Sequence, residues 1–344
     1  MPLSTLQLTN FRSYPGRQFS FDADKTVITG PNGSGKTNIL EAIYLLGMSR
    51  SFRGSPASMV RDDQPWFRVS AWTSDKNELA VIWKQKQKQL YREGEQVKPR
   101  DFIGHLPVVL FEPGGLQLIY GSPSYRRHLM DRILSFSDSQ YLTSLLRFRR
   151  ILKQRNSLLR RGEASKDQVF GWDVLLVEQA AYIRRCREDL VAFFNQSVPA
   201  IYREITGDQN QIQFTYASKT GTRDYPDELL RQLADSIQTD FRYGTTGHGP
   251  HRDDINVTHN SRPLAEVGSR GEVRTATVAL MLGELSYIHG YARSEPLLLL
   301  DDVFSELDER RQAALLEHIH DTQTIITATH PPRQLETGCA TIEL

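Results

Sequence analysis

Eight consecutive residues, Gly30-Pro31-Asn32-Gly33-Ser34-Gly35-Lys36-Thr37, follow the pattern G-x-x-x-x-G-K-[ST]. The pattern is chemically useful only as a turn between a buried strand and a helix, so it constrains the fold strongly. Its glycines let successive backbone N–H groups curl around phosphate oxygens, and the helix that follows adds its positive N-terminal dipole. Lys36 is expected to reach the β- and γ-phosphates, and the Thr37 hydroxyl to hold Mg²⁺. The flanks agree. Thr26-Val27-Ile28-Thr29 reads as a short strand, and Ile39, Leu40, Ile43 and Leu46 recur at helical spacing. Residues Gly30 to Asn38 are the expected nucleotide cradle.

A second element is Leu297-Leu298-Leu299-Leu300-Asp301-Asp302. A continuous apolar run is the mark of a parallel strand buried on both faces. Carboxylates at its C-terminal end lie where open α/β sheets bind ligands. Asp301 is placed to hold Mg²⁺, and Asp302 to orient or deprotonate the attacking water. The two motifs share a site only if the two ends of the chain form one sheet. The sequence therefore predicts an α/β head, residues 1–115 plus 243–344, interrupted by a largely helical lobe at 116–242.

Local patterning fits that division. Leu6 and Leu8 alternate with polar residues, as do Phe67, Val69 and Ala71, and Glu93-Gly94-Glu95 reads as a hairpin turn. Lys84, Lys86 and Lys88 alternate with Gln, which on one strand would place three ammonium groups on one face. Residues 122 to 206 read as long helices linked at Arg161–Ser165, with Gly207-Asp208 ending the second. Asp227 to Phe241 looks helical, and Ile212, Phe214 and Tyr216 alternate as a strand.

Composition narrows the class. With 39% hydrophobic and 24% charged residues over 344 positions, the chain carries ample core material. It has no run of about 20 apolar residues, so no membrane span is expected, nor a secretory leader. Its two cysteines, Cys186 and Cys339, make no disulfide scaffold and suit a cytoplasmic protein. The net charge of +1 hides an asymmetry: residues 121–166 hold eleven Lys/Arg against three Asp/Glu, and residues 295–344 hold three against ten. Such a division suits a polyanion at one part and a metal at another.

Ser269-Arg270-Gly271-Glu272 before a helical stretch reads alone as a helix cap. About thirty residues upstream of the apolar-Asp strand, however, it resembles the signature motif of ATP-binding-cassette (ABC) ATPases. In that superfamily the loop, here Ser269 and Gly271, binds the γ-phosphate held by the opposite subunit. Ser305-Glu306-Leu307-Asp308 resembles its D-loop, although Asp308 also suits a capping box. His330, after the apolar stretch Thr324–Thr329, stands where the switch histidine is found. Leu8-Thr9-Asn10-Phe11-Arg12-Ser13-Tyr14 is similar to the opening of chromosome-maintenance (SMC) ATPase heads, in which the arginine, here Arg12, lies near nucleotide or DNA.

The whole set resembles the RecF family. Its carriers are Arg50-Ser51-Phe52-Arg53, Gly121-Ser122-Pro123-Ser124-Tyr125-Arg126-Arg127, Lys153-Gln154-Arg155-Asn156, Gly249-Pro250-His251-Arg252-Asp253-Asp254 and the Asp301-Asp302 segment, in the family's order. Departures exist. Gly114-Gly115 follow Pro113 where acidic residues are expected, and Gln117 is the only nearby Q-loop candidate. Many cassette ATPases carry Glu at the Asp302 position; the shorter Asp implies slow hydrolysis. The resemblance implies an ABC-type ATPase with ATP and Mg²⁺ as ligands. Lys36, Ser269, Asp302 and His330 would be catalytic, and an ATP-dependent homodimer would clamp DNA through Arg126, Arg127, Arg147, Arg149 and Arg150. It further implies double-stranded, gapped or junction DNA as target, RecO and RecR as partners, and a place in the SOS response. Rival readings are a transporter ATPase subunit and a non-hydrolysing, ATP-gated scaffold. His248, His251 and Asp253 could in principle hold a metal. Cys186 among Arg184, Arg185 and Arg187 is either an acidified thiol or an ordinary helix residue.

Overall fold

The computed structural model describes residues 2–21, 24–161, 165–207, 210–221, 224–305, 307–330, 335 and 339–344. The expected link at 161–165 lies partly outside these residues, as do Asp208 and Glu306. The chain divides into two compact units: residues 1–116, 201–208 and 274–344, and residues 117–200 and 209–273.

The chain opens with β1 (Leu3–Phe11), β2 (Tyr14–Ser20), β3 (Lys25–Thr29), α1 (Lys36–Met48), β4 (Trp66–Thr73), β5 (Glu78–Lys84), β6 (Gln87–Arg92), β7 (Glu95–Val97), the single turn α2 (Pro99–Phe102) and β8 (Val108–Phe111). It continues through α3 (Gln117–Tyr120), α4 (Pro123–Ser137), α5 (Ser139–Arg161), α6 (Lys166–Thr206), β9 (Ile212–Ala217), α7 (Tyr225–Asp235), α8 (Ile237–Tyr243), β10 (Asp254–His259), β11 (Arg262–Pro263) and α9 (Leu264–Val267). It closes with α10 (Arg270–Tyr291), β12 (Leu297–Asp301), α11 (Glu309–His318), β13 (Thr324–Ala328) and β14 (Ala340–Glu343).

The first unit carries a parallel sheet in the order β14-β3-β13-β12-β8. Every residue of β8, β12 and β13 is buried, which is why these strands read as unbroken apolar runs. The register sets Asp301 beside Thr327 and Ala328 beside Thr29, so the C-terminal ends of β12, β13 and β3 share one edge. An antiparallel sheet, β2-β1-β4-β5-β6-β7, completes the unit, with Phe11 and Phe67 in edge-on contact at 5.4 Å. The hairpin at Glu93-Gly94 is present, joining Arg92 to Glu95. The expected lysine face is not. Lys84 pairs with Gln87, while Gln85 and Lys86 form the turn with positive φ, the twist-matched hairpin geometry. Lys88 instead donates to the Ser49 carbonyl at 2.5 Å.

The second unit combines helices with the antiparallel sheet β11-β10-β9. β10 pairs with β9 from Asp254–Ala217 to His259–Ile212. This pairing draws residues 243–273 into the second unit, away from the head in which the sequence had placed them. The helix expected over 227–241 is two helices, α7 and α8, meeting at Ser236. Cys186 is not acidified: burial and the Asp138 carboxylate push its thiol up to about 11. Among the described residues no helix is long and apolar enough to cross a membrane, and no cluster of three or more His, Cys, Asp or Glu could hold a metal. The latter finding argues against the His248–His251–Asp253 site.

The centre of this unit is ionic. Arg155 is fully buried and donates to Asp173 at 2.5 Å, Asp240 at 2.7 Å and Thr246 Oγ1 at 2.8 Å. Removing the guanidinium would strand two buried carboxylates. Arg155→Ala is therefore expected to lower unfolding stability by about 3–5 kcal/mol in urea titrations. His251 gives a second expectation. Its Nε2 donates to the Thr246 carbonyl at 3.0 Å, while Nδ1 is buried without a partner among the described residues. Burial, with help from Arg252, Arg127 and Arg187, pushes its pKa down from 6.5 to about 4. Below pH 6.5 the unfolded chain takes up a proton that the folded chain refuses. The His251 contribution is thus present above 6.5 and lost as pH falls towards 4, about 3 kcal/mol at most. Urea unfolding at pH 7.5 and pH 5 should show a smaller stability difference for His251→Gln than for the unsubstituted chain.

Candidate nucleotide-binding site

Strand β3 ends at Thr29, and the phosphate loop turns directly into α1. Gly33 and Gly35 take φ of +85° and +104°, conformations open to glycine at little cost. Gly35 is doubly constrained, since a Cβ there would stand 2.7 Å from the Tyr14 hydroxyl. Lys36 is buried, and its ammonium donates to the carbonyls of Gly30 at 2.8 Å and Pro31 at 3.1 Å. It thus lies across the mouth of its own loop. Ser34 Oγ is shielded from solvent and has no hydrogen-bond partner among the described residues. A polar atom left in that state inside an amide-rich turn fits a phosphate oxygen.

Asp301, at the end of β12, reaches the loop from the far side of the sequence. Its Oδ1 accepts from the Thr37 hydroxyl at 3.0 Å and from the Thr327 hydroxyl at 2.7 Å. A hydroxyl and a carboxylate meeting at the phosphate loop are the oxygen donors that Mg²⁺ takes alongside phosphate oxygens. Asp302 follows with φ of +49°, its N–H donating to Thr327 Oγ1 at 3.0 Å. Its carboxyl sits above the usual range, raised by partial burial and by Asp301, with Lys36 pulling the other way.

Around this core lies a polar girdle whose central acid, Glu41, the motifs did not announce. The Arg12 guanidinium forks onto Glu41 at 2.8 and 2.6 Å and donates to the Ser58 carbonyl at 2.6 Å. Glu41 is fully buried and also accepts from the Ser51 hydroxyl at 2.5 Å. A lone carboxylate on the apolar helix α1 was the available signal. Asn38 accepts from Arg53 at 3.2 Å and donates to Ser13 at 3.1 Å, and the Tyr14 hydroxyl donates to the Gly35 carbonyl at 3.3 Å. Arg12 is therefore engaged inside the protein, while Ser13 and Tyr14 of its segment touch the loop.

Lys36, Thr37, Asn38, Asp301 and Asp302 come together in the first unit, with Gly30 to Gly35 as their loop. His330 belongs to the same unit, exposed two residues beyond β13. Ser269 and Gly271 belong to the second unit, where they open α10. There Ser269 and Glu272 form a reciprocal capping box: the Ser269 N–H reaches Glu272 Oε2 at 2.7 Å, and the Glu272 N–H reaches Ser269 Oγ at 3.3 Å. Asp308 likewise caps α11. Gln117 opens α3 in the second unit.

The five arginines separate into two groups. Arg126 forks onto Asp254 with both distances at 2.7 Å, and Arg127 donates to the Asp253 carbonyl at 2.9 Å. Both hold the start of α4 to the start of β10, so each is already engaged within the protein. Arg147, Arg149 and Arg150 are exposed on α5, with Arg149 also paired to Asp131 at 2.7 Å.

Comparison with known proteins places this geometry. The family described as the RecF/RecN/SMC N terminal domain matches residues 2–343. The DNA replication and repair protein RecF of Shouchella clausii is 33% identical, over 96% of this chain and 93% of its own length. The protein of the same name from Geobacter sulfurreducens is 34% identical with the same coverage. A solved structure described as the recombination mediator protein RecF with ATP, in the RecFOR pathway, superposes with a TM-score of 0.91. It is 30% identical and covers 99% of this chain and 95% of its own. An Smc head bound to the C-winged helix domain of ScpA shares the fold, with a TM-score of 0.54 and 14% identity over 96% of this chain and 90% of its own. The fold is thus that of an ABC-type ATPase head with an inserted lobe, and the chain belongs to the RecF family.

Proposed function

We propose that this chain is a slow ATPase that uses ATP to switch its grip on DNA in recombinational repair and replication. The observation that carries this reading is the meeting of Thr37, Asp301 and Thr327 beside Lys36 and Asp302 at one edge of the parallel sheet. Lys36 turns from its own loop carbonyls to the β- and γ-phosphates, and Ser34 Oγ gains a partner. Thr37 and Asp301 would hold Mg²⁺, which would neutralise phosphate charge there. In hydrolysis the attacking water forms a bond to the γ-phosphorus while the bond to the β–γ bridging oxygen breaks. Asp302 orients that water and accepts its proton.

The signature loop completes the site in trans. Ser269 and Gly271 of the partner subunit cap the γ-phosphate, so ATP joins two copies and hydrolysis releases them. His330 stands at the edge of the same site as the switch residue. The exposed Arg147, Arg149 and Arg150 meet the DNA backbone, contacts that position the protein without reading sequence. The partners are DNA, a second copy of the chain, and RecO and RecR. The place of action is the cytoplasm.

The first experiment is ATP turnover against protein concentration, with and without duplex DNA, at two salt concentrations. Turnover per subunit that climbs with concentration and with DNA at low salt is the expected result; turnover indifferent to both would end the clamp mechanism. Asp302→Asn should leave ATP binding within about threefold and cut turnover by about 10²–10⁴. Unchanged repair by that variant would favour the non-hydrolysing scaffold. Arg147→Ala and Arg150→Ala should each flatten the slope of log affinity for duplex DNA against log salt by about 0.9, read by fluorescence anisotropy.

A further inference from the structure

The second unit holds a half-open cavity of about 160 Å³, lined by Arg127, His128, Asp131, Arg149, Arg187 and His251 over an apolar remainder. One water occupies about 10–15 Å³ on such a measure, so the space is large enough for a tetrahedral oxyanion with waters beside it. Three guanidiniums face it against one carboxylate. Asp131 is already engaged three times: it accepts from Tyr141 at 2.7 Å, Arg187 at 2.8 Å and Arg149 at 2.7 Å. Arg187 is held further by the Pro250 carbonyl at 2.6 Å and the Tyr141 hydroxyl at 3.1 Å.

Arg127 differs. It gives one hydrogen bond, to the neutral carbonyl of Asp253, and forms no ion pair among the described residues. Burial and the neighbouring Arg187 press its pKa downward, against the opposing pull of the Asp254 and Asp131 carboxylates. Arg149, with 48% of its side chain exposed, and His128, also exposed, mark the open side. A guanidinium fork at the wall and another at the mouth are the donors that phosphate oxygens take in pairs.

From this geometry we infer that the cavity is a phosphate-binding site, separate from the phosphate loop, in which Arg127 and Arg149 fork onto a phosphate group. The group is either free, as orthophosphate or the tail of a nucleotide, or the terminal phosphate of a DNA strand. A half-enclosed site suits a terminal group better than a backbone diester, whose two ester oxygens must both leave it. The inference stands independently of the ATP switch.

The test is calorimetric titration of inorganic phosphate into the full-length chain carrying Lys36→Ala, in which the phosphate loop is disabled. Saturable millimolar or tighter binding is expected to persist there, and to weaken at least tenfold on adding Arg149→Gln or Arg127→Gln. Arg149→Gln should leave the fold intact, because Asp131 keeps Arg187 and Tyr141; an unchanged melting temperature verifies this. Arg149→Lys, retaining the charge without the fork, should fall between. Loss of all binding with Lys36→Ala, or equal binding by the arginine variants, would overturn the site. Competition then assigns the source. Displacement of phosphate by a 5′-phosphorylated oligonucleotide but not its 5′-hydroxyl counterpart identifies a strand end. Displacement only by free nucleotides identifies a soluble ligand.

Discussion

One carboxylate oxygen ties the first unit together at its working edge. Asp301 Oδ1 accepts from Thr37, at the start of α1 after the phosphate loop that follows β3, and from Thr327, which lies on β13 between β3 and β12. The residues joined are 264 positions apart in the chain. They meet only because the two ends of the sequence supply neighbouring parallel strands, and only if the register of all three strands is right. A slip of one residue would turn Asp301 to the opposite face of the sheet. Sheet order, register and nucleotide site are therefore one constraint, and the second unit is what the chain inserts between the two halves that satisfy it.

The two units treat charge in opposite ways. In the first, polar atoms at the phosphate loop are left under-engaged: Lys36 rests on carbonyls, and Ser34 Oγ has no partner among the described residues. These are weak substitutes for phosphate oxygens, so little has to be broken when phosphate arrives. In the second, most of the buried cationic charge is matched. Arg126 takes Asp254, Arg155 takes Asp173 and Asp240, and Arg187 takes Asp131. Part of the positive charge counted over residues 121–166, that of Arg126 and Arg155, is therefore structural, and most of what remains for an external polyanion is exposed on α5.

That distinction explains what the sequence made legible. The phosphate loop and the Leu-Leu-Leu-Leu-Asp-Asp strand were readable because their chemistry is local: glycines at fixed spacing, an apolar run, then acids. The interrupted topology followed from needing both motifs in one site. The unit boundary was misread by about thirty residues because it depends on β10 pairing with β9, a nonlocal choice between two plausible sheets. The lysine face failed because Gln85 and Lys86 turn with positive φ and carry no Gly or Asn to signal it. Arg126 resembled its exposed neighbours in every local respect. Only the fold, by bringing Asp254 to it, decides that it is a strut. Glu41 shows the converse: a buried acid on an apolar helix face is visible in sequence, but its partners Arg12 and Ser51 are not.

The aspartate at 302, where many cassette ATPases carry glutamate, has a structural reason. Its φ of +49° is left-handed, a region that Asn and Asp enter far more readily than longer side chains do. The conformation is held from both sides: the Asp302 N–H donates to Thr327, and its carbonyl accepts from the Ser305 N–H at 3.2 Å and hydroxyl at 2.7 Å. Thr327 thus serves Asp301 through its proton and Asp302 through its lone pair, fixing both acids with one hydroxyl. A glutamate here would add a methylene of reach, but would occupy the left-handed conformation at greater cost. The shorter acid keeps the turn and gives up reach.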